Sequence, residues 1–376
     1  MGRKIFGIIT IIIVVAVIGT LLYLSNRGTR EEIPSAEQNT TENITTGNNT
    51  SVDTQIKETE GINTIATLED EVTQNTIWCG TFQLIWNDLK NDLAKQDILF
   101  NPQIEMVENL NKGTFSTRDL SERYYYKKLG KPTVNLKQEI ENAIKDKFNE
   151  TSNILEDFDW NNNENDSYFL YAMLKKEFQF EHKFEELENG KFAEAEDVKF
   201  FGINANNNNE ELRDQVEVLY YNSKDDFAIK LDTRQDDEVI LCKNPQGNTF
   251  NEIYTNILNQ ERNYHGEDDL QSGELLKIPN IKLAEKHEFT ELENKPFTFS
   301  TGEQYYIEKA LQTIEFTLDK TGGRVESEAG MMANKTSIIV EPREFSVDNT
   351  FAIFLIEEDR QNPYFAAKID DITKFQ

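Results

Sequence analysis

The sequence is poor in the residues that build metal and disulfide sites. Its 376 residues include two cysteines, Cys79 and Cys242, and three histidines that lie far apart, His182, His265 and His287. Two cysteines exclude a disulfide scaffold and a thiolate zinc site. We interpret both as buried free thiols, with a bridge between them as the alternative. We expect no metal and no cofactor.

Basic residues and catalytic motifs are also scarce. There are 39 lysines and arginines against 68 acidic residues, which gives a formal net charge of −29. So acidic a surface repels phosphates, which excludes nucleic acid as a partner and docking on anionic lipid through a basic patch. The sequence has no G-x-S-x-G, Walker or H-E-x-x-H motif and no glycine-rich dinucleotide fingerprint. We therefore do not expect an enzyme.

The N-terminal segment predicts a membrane anchor. Residues 5–24 carry no charge and are mostly Ile, Val and Leu. A helix of that length spans about 30 Å, the thickness of a bilayer core. Arg3 and Lys4 precede it, which favours a cytoplasmic N-terminus. We predict a signal anchor over residues 1–25, with a cleaved signal peptide as the alternative.

The next segment predicts a tether. Residues 26–72 are rich in Thr, Asn, Glu and Ser and have almost no aromatic residue. Such a stretch buries too little apolar surface to offset the entropy lost on ordering. The folded domain is predicted over residues 73–376, outside the cytoplasm at the cell surface.

Apolar periodicity predicts three helices and then many strands. Apolar residues three and four apart predict a helix over 78–93, Asn101-Pro102 a second helix start that Gly113 ends, and a third helix covers 134–148. Alternation predicts a hairpin turned at 222–225. Other strands are predicted at 168–174, 239–242, 276–283, 305–318, 351–356 and 364–369. Helices followed by antiparallel strands indicate one α+β domain.

The first half of the domain resembles the serpin family. Phe82 and residues 98–104 are similar to the opening helix, short strand and Ser-Pro-x-Ser-Ile helix start of a serpin. Residues 140–160 resemble the helix across the family's central sheet and its exit. Residues 169–173, followed by Phe178, Phe180 and Phe184, are similar to the long central strand and its aromatic turn.

The second half continues the resemblance in the same chain order. Lys277-Ile278-Pro279-Asn280-Ile281-Lys282-Leu283 resembles the family's L-P-K-F-K-I strand, and residues 307–318 resemble the strand that leads into the reactive loop. Residues 345–351, with Phe354, Phe365 and Lys368, are similar to the closing F-x-x-D-x-P-F strand pair. The resemblance implies N-terminal helices on a large central, mostly antiparallel sheet, a second sheet and an exposed loop. The short stretch 113–133 implies that peripheral helices are lost or reduced.

The resemblance also implies a function. A serpin is cleaved in its loop by a protease, and the loop then inserts as a strand into the central sheet and traps the acyl-enzyme. For this chain it implies a membrane-tethered, monomeric inhibitor whose partner is a serine or cysteine protease. The alternative is a non-inhibitory binding module on the same scaffold, for a ligand or a surface partner.

The loop implied by the resemblance runs from residue 322 to 344. Its hinge comprises Gly322, Gly323, Arg324, Val325, Glu326, Ser327, Glu328 and Ala329. In one register the uncharged face of Val325, Ser327, Ala329 and Met331 enters the core. A shift of one residue buries the charged face instead and blocks insertion, because an unpaired buried charge is costly. The sequence leaves both registers open.

The scissile bond is expected within Lys335, Thr336, Ser337, Ile338 and Ile339. Cleavage after Lys335 would suit a trypsin-like protease, and cleavage after Ser337 or Ile338 an elastase-like one. Both remain open.

Overall fold

The computed structural model describes residues 56–152, 154–160, 167–235, 237–322 and 342–376. The predicted anchor over residues 5–24, the tether up to residue 55, the hinge residues 323–329 and the scissile region 335–339 lie outside the described residues. In the parts of the chain that are described, no helix is both long and apolar enough to cross a membrane.

The described residues form five α-helices. They are α1 (Thr81–Asp88), α2 (Glu105–Lys112), α3 (Val134–Phe148), α4 (Glu210–Asp214) and α5 (Phe250–Asn263). The sequence predicted α3 at these bounds and the end of α2 at Gly113, which adopts φ +64. The side chain of Thr133 starts α3 by accepting a hydrogen bond from the N–H of Leu136 at 3.2 Å. Helix α2 begins later than predicted, after an extended Ile104.

The first predicted helix is wrong at its start. Trp78 lies in a four-residue strand, Thr76–Cys79, and α1 begins only after Gly80. Every residue of that strand is buried. A strand buried on both faces shows no alternation, so its apolar residues were assigned to the helical pattern that follows.

Seventeen strands are described in the same parts of the chain. They are β1 (Asn63–Thr64), β2 (Thr76–Cys79), β3 (Tyr125–Gly130), β4 (Phe169–Leu174), β5 (Glu185–Phe192), β6 (Ala195–Ile203), β7 (Val216–Ser223), β8 (Asp226–Asp232), β9 (Asp237–Lys243), β10 (Leu275–Pro279), β11 (Ile281–Glu288), β12 (Pro296–Thr298), β13 (Gln304–Tyr306), β14 (Leu311–Leu318), β15 (Glu344–Ser346), β16 (Phe351–Glu357) and β17 (Phe365–Ile369). The predicted hairpin is confirmed as β7 and β8.

The strands form one large sheet, a second sheet and three pairs. The seven-stranded sheet has the order β1-β2-β17-β16-β9-β8-β7 and is antiparallel except between β1 and β2. The four-stranded sheet has the order β15-β10-β6-β5. The pairs are β3·β4, β11·β14 and β12·β13. The α+β class and the presence of a large and a second sheet are confirmed.

Strand β4, which was expected at the centre of the large sheet, does not belong to the seven-stranded sheet. Residues 169–174 and 311–318 form β4 and β14, and each belongs to a separate antiparallel pair. In the described parts of the chain no strand joins β4 to β14. The large sheet is instead built from β16 and its neighbours, whose apolar residues are buried on both faces.

The fold also begins earlier than residue 73. Strand β1 pairs with β2, and Ile65, Ala66 and Leu68 are each at most 6% exposed. The tether prediction therefore included residues that belong to the core. Their polar neighbours hid three apolar side chains, which are too few to give a periodic signal.

Candidate functional site

Of the predicted site residues, the structure describes only Gly322. The rest of the hinge and the scissile region lie outside the described residues, but both ends of the loop are described. The site is therefore built from the two ends and from the strands beside them.

The N-terminal end of the loop is a tight turn at the end of β14. The N–H of Asp319 donates to the carbonyl of Gly322 at 3.2 Å, and the N–H of Gly322 donates to the carbonyl of Asp319 at 3.1 Å. The Asp319 carboxylate also accepts a hydrogen bond from the N–H of Thr321 at 2.8 Å. Two reciprocal bonds around two residues are the geometry of a hairpin turn, so the chain reverses direction here.

Gly322 is required at this turn for two reasons. Its φ is +107, a conformation that side chains with a Cβ rarely adopt. A Cβ at this position would also lie 2.6 Å from the carbonyl oxygen of Phe178 and 2.7 Å from the Cα of Gln179. The backbone of the turn therefore lies directly against the segment that follows β4.

That segment binds the turn through its own backbone. Gln179 and Gly322 form an antiparallel bridge, and the N–H of Phe184 donates to the carbonyl of Lys320 at 2.9 Å. Phe180 and Phe184 beneath it pack edge to face with ring centroids 4.8 Å apart. The aromatic turn that the sequence identified thus positions the start of the loop.

The C-terminal end of the loop is held by Arg343. Its Nε donates to Oε1 of Glu274 at 2.7 Å, and its second terminal nitrogen donates to Oε2 at 3.0 Å. The guanidinium also donates to the hydroxyl of Tyr264 and to the carbonyls of Glu267 and Asp269. Sequence reasoning missed this residue, because its partners are 69 to 79 residues away in the chain.

The two ends lie at opposite edges of the four-stranded sheet. Lys320 bonds the residue before β5, and β15 is the last strand at the other edge. Three spacings of about 4.8 Å separate β15 from β5, and one more separates β5 from Lys320, so the two ends lie about 20 Å apart. The 19 residues from 323 to 341 span at most about 65 Å when extended, so the loop is much longer than the distance it has to cross.

Strand β4 is covered on both faces, and β14 on one. On β4, the partly buried Leu170 packs against the core around α1 and Leu174 against the main core, while Phe169 and Tyr171 on the other face are buried against α3. On β14, Ile314 and Leu318 are buried and alternate with outward-facing residues. Even-numbered residues therefore face the main core and the core around α1 on both strands, and odd-numbered residues of β4 face α3.

Both cysteines are buried free thiols, as predicted. The Sγ of Cys242 lies 3.3 Å from the hydroxyl of Tyr220, and burial raises the pKa of the Cys242 thiol to about 12. Such a thiol is protonated and unreactive at neutral pH.

Comparison with known proteins gives only distant structural likeness. No protein-family model and no curated protein matches the chain. The fold is similar to a thyroxine-binding globulin in complex with thyroxine, at 12% identity and a TM-score of 0.39 over 63% of this chain and 64% of that one. Human thyroxine-binding globulin complexed with thyroxine matches at 11% identity and a TM-score of 0.41, over 64% of this chain and 65% of that one.

A third solved structure, human glycosylated kallistatin, matches at 14% identity and a TM-score of 0.40, over 73% of this chain and 72% of that one. These proteins are serpins, the family that the sequence resembles. The chain spans slightly less than two thirds of the two thyroxine-binding globulins. Likeness at this level does not assign the chain to a family.

Proposed function

We propose that this chain is a membrane-tethered, extracytoplasmic protease inhibitor that is cleaved in the loop 323–341 and inserts the N-terminal part of that loop between β4 and β14. The observation that carries the proposal is the turn Asp319–Gly322. It reverses the chain at the end of β14 and bridges the segment after β4, so a strand that continued from it would run between the two pairs.

The bridges at Gly322 support one register for such a strand. Along an antiparallel pair, residue numbers rise on one strand by as much as they fall on the opposite strand. The Gln179–Gly322 bridge therefore places Ser327 opposite Leu174, and the Asp319–Gly322 bridge places it opposite Ile314. Directly opposed residues share a face, and both partners face the interior. The two bridges agree on the orientation of Ser327.

This register buries the uncharged face of the hinge. Val325, Ala329 and Met331 would follow Ser327 inward, where no charge would be carried into the core. The charged residues would face the other side of β4, where Glu328 would lie opposite Met173 of the cluster around α3. Arg324 would lie opposite Glu177 and Glu326 opposite Lys175, so both meet an opposite charge across β4. The competing register, which buries these charges, has no support from either bridge.

The first test is a search for a covalent complex. The full chain in detergent micelles is mixed with trypsin-, chymotrypsin-, elastase- and subtilisin-like proteases, and the products are resolved on denaturing gels with intact-mass analysis. We expect an adduct that survives denaturation, with the summed mass less the C-terminal peptide released by cleavage within residues 335–339. Cleavage at these residues without an adduct would contradict inhibition.

The register gives a matched pair of variants. Ser327→Arg places a charge on the inward face, and Glu328→Arg places the same charge on the opposite face. We expect Ser327→Arg to turn the inhibitor into a substrate that is cleaved without an adduct, and Glu328→Arg to keep the adduct. The opposite result would mean that the strand inserts one residue out of this register.

Thermal unfolding separates inhibition from the binding-module alternative. A chain whose cut loop inserts gains a strand, so its melting temperature rises after cleavage. A binding module on the same scaffold would melt at the same temperature cut and uncut. The anchor is tested on its own by sodium-carbonate extraction of membranes, where release into the supernatant would contradict tethering through residues 5–24.

A further inference from the structure

A buried ionic cluster joins the end of β4 to the seven-stranded sheet. It consists of Lys176, Asp237 at the start of β9 and Glu357 at the end of β16, and the three side chains are 2%, 0% and 3% exposed. The Lys176 Nζ lies 2.6 Å from Oδ1 of Asp237 and 2.5 Å from Oε1 of Glu357. This group is called the Lys176 cluster below.

Aromatic rings close the Lys176 cluster on two sides. The Lys176 Nζ lies 4.1 Å from the ring centroid of Tyr124 and 4.9 Å from that of Tyr364. Both rings present a face that favours a cation. The Lys176 amino group therefore lies between two carboxylates and two aromatic rings, away from water.

The two carboxylates are not equally supported. The second oxygen of Glu357 accepts hydrogen bonds at 2.8 Å from both the N–H and the hydroxyl of Ser121, and Nε of Arg360 lies 3.6 Å from it. Asp237 accepts a bond from the Tyr364 hydroxyl at 3.2 Å, but on the same oxygen that meets Lys176. The second oxygen of Asp237, Oδ2, is buried and has no hydrogen-bond partner among the described residues.

Charge is unbalanced in the same way. Arg360 is 38% exposed, so within the described parts of the chain Lys176 is the one fully buried cation that faces these two buried carboxylates. Cys79, which lies near Tyr364, is a buried neutral thiol and brings no charge. An unbalanced buried carboxylate is relieved by taking up a proton, and the carboxylate with the orphaned oxygen is Asp237.

We infer that the Lys176 cluster is a proton-linked fastening of β4 to the seven-stranded sheet, in which Asp237 is the group that binds the proton while Glu357 stays ionised as the partner of Lys176. The inference does not depend on the proposed function, since it concerns only described residues. If the proposed function holds, the fastening also adjoins the point at which a strand would enter beside β4.

The direction of the pKa shifts agrees with this assignment. Burial raises the pKa of Asp237, and the bonds from Lys176 and Tyr364 offset the rise only in part. Burial acts on Glu357 as well, but the hydrogen bonds from Lys176 and Ser121 hold the pKa of Glu357 below its usual range. A group whose pKa is raised on folding stabilises the fold at low pH and loses that contribution as the pH rises through its folded value.

The test compares two isosteric variants of the full chain in detergent micelles. Melting temperatures of wild type, Asp237→Asn and Glu357→Gln are measured from pH 4 to 8. Asp237→Asn removes the excess charge, so we expect its melting temperature at pH 8 to exceed that of wild type by about 2–4 °C and the difference to shrink as the pH falls. Glu357→Gln should melt below wild type at every pH.

The net charge of −29 makes the whole chain sensitive to pH, so only the difference between variant and wild type is diagnostic. If Asp237→Asn lowered the melting temperature at pH 8 as Glu357→Gln does, or left its pH dependence unchanged, the inference would be overturned. A second measurement needs no variant to fold. The infrared difference spectrum of wild type between pH 8 and 4 should show a buried protonated carboxyl group, and its absence would equally contradict the inference.

Discussion

The seven-stranded sheet and the two pairs β3·β4 and β11·β14 show two ways of building with strands. In the seven-stranded sheet, β16 has a strand neighbour on both edges, and all seven of its residues are buried. Among the described strands, β14 pairs only with β11 and β4 only with β3, and the buried residues of β14 alternate with exposed ones. In this second region, β4 and β14 therefore each have an edge with no partner among the described strands, and proteins ordinarily protect such edges.

The composition of the two strands explains the difference. Strand β16 reads Phe-Ala-Ile-Phe-Leu-Ile-Glu, and its six apolar residues can be buried on both faces. Strand β14 reads Leu-Gln-Thr-Ile-Glu-Phe-Thr-Leu, which requires solvent on one face. The chain therefore has one sheet whose central strands are buried on both faces and, apart from it, a strand with one exposed face. The substitutions that follow test whether the two regions differ in stability.

The largest effect is expected in the seven-stranded sheet. Phe354 is fully buried on β16 and packs against Phe250 and Tyr254, with centroids 5.9 and 5.4 Å away. Phe354→Ala should lower the free energy of unfolding by about 3–5 kcal/mol, because it leaves a cavity. The control is Phe316→Ala on β14, where the ring is only partly buried and the loss should be clearly smaller. Equal losses in urea denaturation would break the comparison.

The sequence predicted some of the strands and helices and missed others. The hairpin of β7 and β8 was predicted from a period of two, and β9, β16 and β17 from their apolar runs. Strand β2 has only four residues and adjoins a helical pattern, which is why Trp78 was placed in a helix. Helix α5 was missed although Thr249 caps the N–H of Glu252 at 3.1 Å and Ile253 and Ile257 are four residues apart. The capping residue and the apolar spacing of this helix are both visible in the sequence.

Only those features of the site that depend on residues close together in sequence could be predicted. Gly322 was predicted as the start of the loop, and the resemblance identified the aromatic segment beside it, but the turn Asp319–Gly322 was not predicted. Strand register was not, because it depends on which residue of a distant segment Gly322 meets. The partners of Arg343 and Lys176 were hidden for the same reason, since each binds residues brought close only by folding.

A substitution at Gly322 tests the contact between the turn after β14 and the segment after β4. Gly322→Ala should lower the free energy of unfolding by about 2–4 kcal/mol, because the new Cβ meets the backbone of Phe178 and Gln179 at a positive φ. Gly273→Ala is the matched control, since Gly273 has φ +92 but no atom within 4 Å of the added Cβ. It should cost about 1 kcal/mol. Equal costs would mean that the turn does not press against the segment after β4.

Arg343 tests the other end of the loop. Arg343→Lys keeps the charge but loses the paired bonds to Glu274, so we expect a loss of about 1–3 kcal/mol and faster backbone hydrogen exchange in β15. Arg234→Lys is the control, because Arg234 is exposed and its guanidinium donates to the carbonyl of Glu181. Unchanged exchange in β15 would show that this end is held by strand pairing alone.

The smallest expected effect is the loss of stability at alkaline pH that comes from the buried Cys242 thiol in the seven-stranded sheet. Because burial raises the pKa of Cys242 to about 12, the folded state keeps its thiol protonated while the unfolded chain ionises near pH 8.5. The stabilisation is therefore present below pH 8.5 and is lost as the pH rises toward the folded value. Between pH 8.5 and 9.5 the loss should reach about 1 kcal/mol in urea denaturation. Cys242→Ala should lose less over the same range, because it carries no thiol to titrate. An identical slope in the variant would mean that Cys242 ionises as readily in the fold as outside it, and that the seven-stranded sheet is less closed around this thiol than its burial indicates.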